Sequence, residues 1–283
     1  MYVLPTFLLT VMWTCSATSP VPGDLSPLQA SVDPKPAPGE ALTITRDGRH
    51  IYVLGKSLDN TPVLYAYNRN ATPGLDFGKV DARAIDREEN GVDDSSDTGS
   101  AVVGMDDPVD LILSADQSVL YVLSKANGAG SIVVFHRVTD RRDPEFGRLS
   151  FAGSVSTQLK TPRRIVITAT HLYVAGTIAA NGGATAAQIE VFKPNVSNQL
   201  PMPVAGGVIP APDGAGPMVV DAATGALFVA AADRIQHYAI TPDGPNAGLL
   251  TANVPAFPLG GSVERVSDLL LVHNEGEGVD IYA

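Results

Sequence analysis

The chain has 283 residues, of which 45% are hydrophobic, 6% aromatic and 17% charged, and it contains 27 glycines and 22 prolines. This composition is typical of a turn-rich, all-β protein with a single large core. Its 19 Lys and Arg residues against 30 Asp and Glu residues give a formal net charge of −11. Such a charge repels phosphate backbones and anionic lipid, so we expect no nucleic-acid partner.

Residues 1–17 are the first predicted element, a signal segment. Their apolar run from Val3 to Trp13 is too short to cross a bilayer, so we expect no transmembrane span. The small residues Cys15 and Ala17 have the spacing that a signal peptidase accepts, although no Lys or Arg precedes Lys35. The segment therefore favours export, with the protein secreted, periplasmic or at the cell surface.

Residues 18–40 form a tether rich in proline and glycine, and residues 41–283 carry a repeat. Five copies of a short apolar run of the type "LYV" follow one another at intervals of 69, 52, 55 and 43 residues. Their anchor residues are Tyr52, Tyr121, Tyr173, Phe228 and Leu271. A period near fifty residues is typical of propellers and other repeat arrays.

Each anchor is surrounded by the same sequence of β-type runs. An apolar run and a turn such as "RDGR" or "ADQS" precede it, and a run that ends in an aromatic residue follows it. These aromatic residues are Tyr67, Phe135, Phe192, Tyr238 and Tyr282. Most copies add a fourth run, such as "GRLSFAGSV" from Gly147. The sequence therefore predicts a β-propeller of four-stranded antiparallel blades, about five of which are visible.

The fifth copy stops at Ala283, directly after its third predicted strand. The tether contains "GDLSPLQASV" from Gly23, which is similar to the fourth run of the second copy. We therefore predict that Leu25 to Val32 supply the missing outer strand and close a five-bladed ring, which removes an exposed sheet edge. The alternative is a fragment of a larger ring, in which this segment is the tail of another blade.

The repeated segments "TRDGRHIYVLG" and "SADQSVLYVLSKANGAGSIVVFHRV" carry a resemblance to the β-propeller lactonases, also called 6-phosphogluconolactonase-like or YVTN-repeat proteins. The similarity extends over about residues 41–283. It implies a propeller, usually of seven blades, and a sugar-lactone hydrolase activity that requires no cofactor.

The resemblance also implies candidate site residues. "LVHNEGEGVDIY" resembles the Asn-Glu stretch of the lactonases, and "TPRRIVIT" resembles their Pro-Arg-His-Ile segment. By this match Glu275 and Arg163 keep the family's glutamate and arginine, whereas Arg164 replaces the histidine. Lactone opening needs a base and, for a phosphorylated substrate, a cationic anchor. The catalytic candidates are Glu275, His273 and Arg163, and the substrate-binding candidates are Arg164, Asn274 and Asp110.

The same residues also fit a structural role. Glu275 can solvate a Gly-rich hairpin, and the two arginines can line a channel or pair with Asp110. With small and polar loops and no family histidine, the sequence favours an exported binding scaffold over an enzyme. We then expect a carbohydrate, a cell-wall component or a protein to bind the loops.

One acidic stretch, "DREENGVDDSSD", matches the spacing of a calcium loop. Gly91 takes the sharp-turn position, and the candidate ligands are Asp86, Glu88, Asn90, Asp94 and Asp97. The alternative is a solvated charged insertion, which also explains why the first repeat interval is the longest.

Overall fold

The computed structural model of the chain describes residues 41–56, 61–69, 80–85, 102–179, 185–195, 199–231, 233–259, 266, 269–274 and 278–282. Within these ranges all regular secondary structure is β-strand. The strands form four antiparallel sheets of four strands each, in chain order, and one hairpin. In the same ranges we find no helix with the length and apolar character to cross a membrane.

Each sheet is one blade, and its strands are numbered along the chain. Blade 1 contains β1 (Ala41–Ile44), β2 (His50–Lys56), β3 (Pro62–Arg69) and β4 (Val80–Ile85). Blade 2 contains β5 (Asp107–Leu113), β6 (Val119–Ala126), β7 (Ala129–Arg137) and β8 (Leu149–Ser156). Blade 3 contains β9 (Thr161–Ile167), β10 (Leu172–Ala179), β11 (Thr185–Pro194) and β12 (Pro201–Pro210). Blade 4 contains β13 (Met218–Asp221), β14 (Ala226–Ala230), β15 (Arg234–Ile240) and β16 (Leu250–Pro258). Blade 5 is described as the hairpin of β17 (Leu270–Asn274) and β18 (Gly278–Tyr282).

The turns between first and second strands explain the repeated "RDGR" and "ADQS" segments. In blade 1, the Asp47 carboxylate accepts hydrogen bonds from the Thr45 hydroxyl at 2.8 Å and from the Arg49 N–H at 3.2 Å. Gly48 supplies the left-handed conformation, with φ of 67°. Asp116 accepts the equivalent bonds in blade 2. Short polar side chains therefore close each turn before the apolar strand begins.

The core lies between the blades, because both faces of each internal sheet are covered. Tyr52 and Leu54 of β2 pack with Leu120 and Phe135 of blade 2. Tyr121, on the opposite face of β6 from Leu120, packs against blade 3. A strand that is buried on both faces has no polar alternation. This burial is the physical reason for the continuous apolar runs at the repeat anchors.

The first strands of blades 1 to 4 are neighbours in chain order, with β1 beside β5, β5 beside β9 and β9 beside β13. Successive four-stranded sheets stacked face to face, with their first strands adjacent, are the blades of a β-propeller. The predicted fold class and blade structure are confirmed. The signal segment, the tether and the proposed closing strand at Leu25 to Val32 lie outside the described residues and stay predictions.

Candidate functional site

Two kinds of loop meet at one end of the blades. The Gly130 N–H donates to the Leu159 carbonyl at 2.6 Å, and the Thr157 N–H donates to the Gly130 carbonyl at 2.8 Å. A loop within blade 2 is therefore tied to the connection between blades 2 and 3. We call the end of the blades formed by residues 127–130, 157–161 and 211–217 the loop face.

Arg163 and Arg164 lie near the start of β9, close to the loop face, and their side chains point in opposite directions because strand residues alternate. Arg163 is exposed, and its Nη1 donates to the Ala215 carbonyl at 3.3 Å across the junction with blade 4. Arg164 points toward blade 2, where its Nη1 lies 3.6 Å from Asp110 Oδ1. Arg163 is thus the more exposed of the two, since the Arg164 side chain is 28% exposed.

Asp110 is a buried carboxylate, 6% exposed, at the interface of blades 2 and 3. A β-bulge between Pro108 and Asp110 interrupts its strand register. Its Oδ2 accepts the Ile165 N–H at 2.9 Å and its Oδ1 accepts the Leu111 N–H at 3.0 Å. The bond from Ile165 and the contact with Arg164 connect β5 to β9. Asp110 is therefore suited to holding two first strands together and poorly suited to proton transfer.

Lys56 and Asp107 form a second charged pair at the same end of the sheets, with Nζ 3.9 Å from Oδ1. Lys56 is the last residue of β2 and Asp107 the first of β5, so the pair bridges blades 1 and 2. The Asp107 N–H also donates to the buried Ser124 hydroxyl at 3.2 Å. This pair was not predicted, because no spacing in the sequence indicates it.

Glu190 is a second buried carboxylate near the loop face, 3% exposed, and was not predicted either. Its Oε1 accepts a hydrogen bond from the Gln158 N–H at 2.9 Å. Glu190 of β11 therefore binds the segment that connects blades 2 and 3. Burial raises the pKa of its carboxyl group, and hydrogen bonds from Gln158 and Leu159 oppose that effect. A charged residue inside the apolar run "AQIEVF" is the sequence signal that marks it.

The predicted site residues divide into two groups. Arg163, Arg164 and Asp110 come together around β9. His273 and Asn274 are described only as backbone of β17, where they pair with Val279 and Gly278. Glu275 lies outside the described residues. The catalytic roles of Glu275 and His273 and the binding role of Asn274 therefore stay predictions.

The candidate calcium loop at residues 86–97 also lies outside the described residues. In the described ranges, no group of three or more His, Cys, Asp or Glu side chains could hold a metal ion. If the loop binds calcium, millimolar calcium should raise the melting temperature by mass action. We expect Asp86→Ala to abolish that increase, as measured by differential scanning fluorimetry with chelator as the control. Identical melting curves in calcium and chelator would leave an acidic insertion.

Comparison with solved structures places this arrangement among known propellers. The chain is similar to a candidate 6-phosphogluconolactonase from Bacteroides uniformis, with 16% identity and a TM-score of 0.55 over 77% of this chain and 54% of that one. It is also similar to the periplasmic gluconolactonase of Pseudomonas aeruginosa, with 15% identity and a TM-score of 0.51 over 78% of this chain and 57% of that one. The chain thus spans little more than half the length of these two proteins.

No protein-family model and no curated protein sequence matches the chain. Similarity at 15–16% identity shows the fold. The reaction has to be argued from the site residues. The stacked four-stranded blades, their adjacent first strands and the two structural similarities lead to one conclusion. The chain has a β-propeller fold that is similar to the fold of these two proteins.

Proposed function

We propose that this propeller binds a sugar lactone at its loop face and hydrolyses it. The observation that carries the proposal is the exposed residue Arg163 near the start of β9, whose guanidinium donates a hydrogen bond to the Ala215 carbonyl. Arg163 is the residue that the Pro-Arg match with the lactonases identifies. Guanidinium groups bind carboxylate and phosphate oxygens with two parallel hydrogen bonds. We assign Arg163 as the anchor for an anionic sugar substituent.

Arg164 has a different role in this proposal. Its guanidinium faces Asp110 at 3.6 Å, so part of its charge is already balanced. We propose that Arg164 adds positive potential to the site while Arg163 makes the direct contact. Asp110 then acts as a positioning residue, since its oxygens accept two backbone N–H groups.

The proposed reaction is hydrolysis of an ester within a ring. The Glu275 carboxylate takes a proton from water, and the resulting hydroxide adds to the lactone carbonyl carbon. Collapse of the tetrahedral intermediate breaks the bond between the carbonyl carbon and the ring oxygen. The ring oxygen takes up the proton, and a hydroxy acid leaves. His273 and Asn274 are proposed to donate hydrogen bonds to the oxyanion.

An exported binding scaffold is the second candidate function. The two buried carboxylates near the loop face, Asp110 and Glu190, both accept backbone N–H groups, so each has a structural task. A rigid site with an exposed arginine suits binding of an anionic carbohydrate, a cell-wall component or a protein without chemistry. Export fits the apolar residues 3–13 and the periplasmic location in the name of the Pseudomonas aeruginosa protein.

Lactone hydrolysis above the spontaneous rate tests the proposal directly. We expect the purified chain to release protons from gluconolactone 6-phosphate, and Glu275→Gln to lower the rate about 10²- to 10⁴-fold through loss of the base. Arg163→Ala should lower kcat/KM about 10- to 100-fold for the phosphorylated lactone, since it removes charge-assisted hydrogen bonds worth about 1.5–3 kcal/mol. Unphosphorylated gluconolactone should be affected much less by Arg163→Ala.

Arg142→Ala is the matched control. Arg142 is an exposed arginine in the turn between β7 and β8, at the opposite end of blade 2 from the loop face. Its removal should leave both rates unchanged. Background rates in all four proteins would exclude hydrolysis, and calorimetry with the same phosphorylated sugar would then decide between the scaffold and an unrelated ligand.

A further inference from the structure

Two histidines occupy equivalent positions in the blades. His50 and His171 each lie two residues before the tyrosine of a second strand, and both are buried, at 3% and 4% exposure. Each ring packs on a glycine of the following blade, His50 on Gly147 and His171 on Gly248. The contact between a histidine and the outer turn of the next blade is thus a repeated feature of this propeller.

The His50 ring has a defined protonation state because of its partners. Its Nδ1 lies 3.0 Å from Nη2 of Arg137, and its Nε2 lies 3.1 Å from the Phe146 carbonyl oxygen. Arginine is always charged and can only donate, so Nδ1 must accept. The single ring proton is therefore on Nε2 and is donated to Phe146. Only neutral imidazole satisfies both contacts.

Arg137 connects this histidine to the rest of the interface. Its side chain is buried and donates from Nε to the Tyr52 hydroxyl at 2.8 Å and from Nη1 to the Gln117 carbonyl at 3.2 Å. The Tyr52 hydroxyl in turn donates to the Gly147 carbonyl at 2.7 Å. Blades 1 and 2 are thus joined through one polar cluster, which consists of His50, Tyr52, Arg137, Phe146 and Gly147.

The charges around His50 oppose its protonation. Burial is the largest effect and Arg137 the second, and together they lower the pKa of His50 to about 4 from 6.5. Arg49 acts in the same direction. Asp47 opposes it, but its carboxylate is also bonded to Thr45 and lies 3.1 Å from Arg141. The surrounding charges and the hydrogen-bond geometry therefore both favour the neutral form of the His50 ring.

We infer that the contact between blades 1 and 2 is acid-sensitive, with His50 as the titrating group. Protonation puts a second N–H on the ring, directed at the Arg137 guanidinium, and removes the acceptor that Arg137 uses. The added charge is buried beside another positive charge, so the ring must leave its place between Phe146 and Gly147. Release of the ring separates β2 from the outer turn of blade 2. This inference is independent of the proposed lactone chemistry.

The direction of the pH effect follows from linkage. The unfolded chain binds a proton at His50 near pH 6.5, whereas the folded chain does so only near pH 4. Between these values the unfolded state holds more protons, so stability falls as the pH falls. One pKa unit corresponds to a tenfold change in the unfolding equilibrium. His50 alone is thus expected to raise the unfolding constant by up to about 300-fold across this window.

Two measurements on the full chain test the inference. Histidine C2 hydrogen exchange, followed by mass spectrometry, reports the protonation of each ring in the unmodified protein. We expect His50 to remain neutral well below pH 6. Amide protection factors, corrected for intrinsic rates, should fall between pH 7 and pH 4.5 in residues 50–56 and 146–149.

His50→Gln should reduce the pH dependence of urea unfolding, whereas His136→Gln should not, because His136 is exposed on β7. Should His50→Gln fail to fold, the two wild-type measurements still decide the question. Titration of folded His50 near pH 6.5, or protection factors that do not change with pH at these residues, would overturn the inference.

Discussion

Gly147→Ala is expected to lower the free energy of unfolding by about 4 kcal/mol, a large part of the stability of a typical domain. Gly147 has φ of 88°, where a Cβ atom is strained by about 1–2 kcal/mol. A Cβ built on Gly147 would also lie 2.0 Å from the His50 ring. The ring cannot move aside without breaking its bonds to Arg137 and Phe146.

Gly244→Ala is the matched control for Gly147→Ala. Gly244 lies in the equivalent turn of blade 4 with φ of 86°, but its Cβ would meet no atom within 4 Å. It therefore isolates the backbone strain, and we expect a loss of about 1–2 kcal/mol. The difference between the two variants in urea unfolding measures the steric conflict with His50.

A double-mutant cycle makes the test sharper. In a His50→Ala background the space beside residue 147 is free, so Gly147→Ala should lower stability only about as much as Gly244→Ala does. Equal effects of Gly147→Ala in the two backgrounds would show that the His50 contact contributes little, and would also weaken the account of the interface between blades 1 and 2.

The blade structure could be predicted because each blade repeats its own local signals. Tyr52, Tyr121 and Tyr173 all lie in second strands, as their repeat positions predict. The aromatic residues that end the third runs lie in third strands, for example Phe135 in β7. Strand alternation and Asx turns depend on residues that are a few positions apart. The sequence of one blade is therefore enough to predict them.

The contacts between blades could not be predicted in the same way. His50 and Gly147 are 97 residues apart and meet only because two blades stack. Gly147 and Gly248 each lie two residues before the fourth strand of their blade, yet neither repeat contains the stacking that brings a histidine onto this glycine. The rotation of one sheet against the next determines which side chains are in contact across such an interface.

The site residues were predicted in part for a related reason. Pairing of Arg164 with Asp110 was one of two alternatives that the sequence left open. A β-bulge after Pro108 shifts the strand register by a residue, and such a shift decides which way Asp110 points. The periodicity of a sequence alone does not indicate a β-bulge. The buried Glu190 was visible as a charge inside an apolar strand, yet its partner Gln158 lies 32 residues away.

Asp110→Ala is expected to lower the free energy of unfolding by about 3 kcal/mol. The substitution leaves the buried Ile165 N–H without its acceptor and removes the carboxylate that lies 3.6 Å from the Arg164 guanidinium. An unsatisfied buried donor costs about 1–3 kcal/mol, and loss of the buried partner of a half-buried ion pair adds to that value. Asp110→Asn keeps one carbonyl acceptor, so it should fall between the wild type and Asp110→Ala.

Asp107→Ala is the control, because Asp107 lies in the same strand but has a side chain that is 54% exposed and 3.9 Å from Lys56. An exposed pair of this kind contributes about 0–1 kcal/mol. Urea unfolding should therefore separate the two alanine variants by about 2 kcal/mol or more. Hydrogen exchange at the Ile165 amide should accelerate in Asp110→Ala and stay slow in Asp107→Ala. Equal stability of the two variants would contradict the view that Asp110 joins β5 to β9.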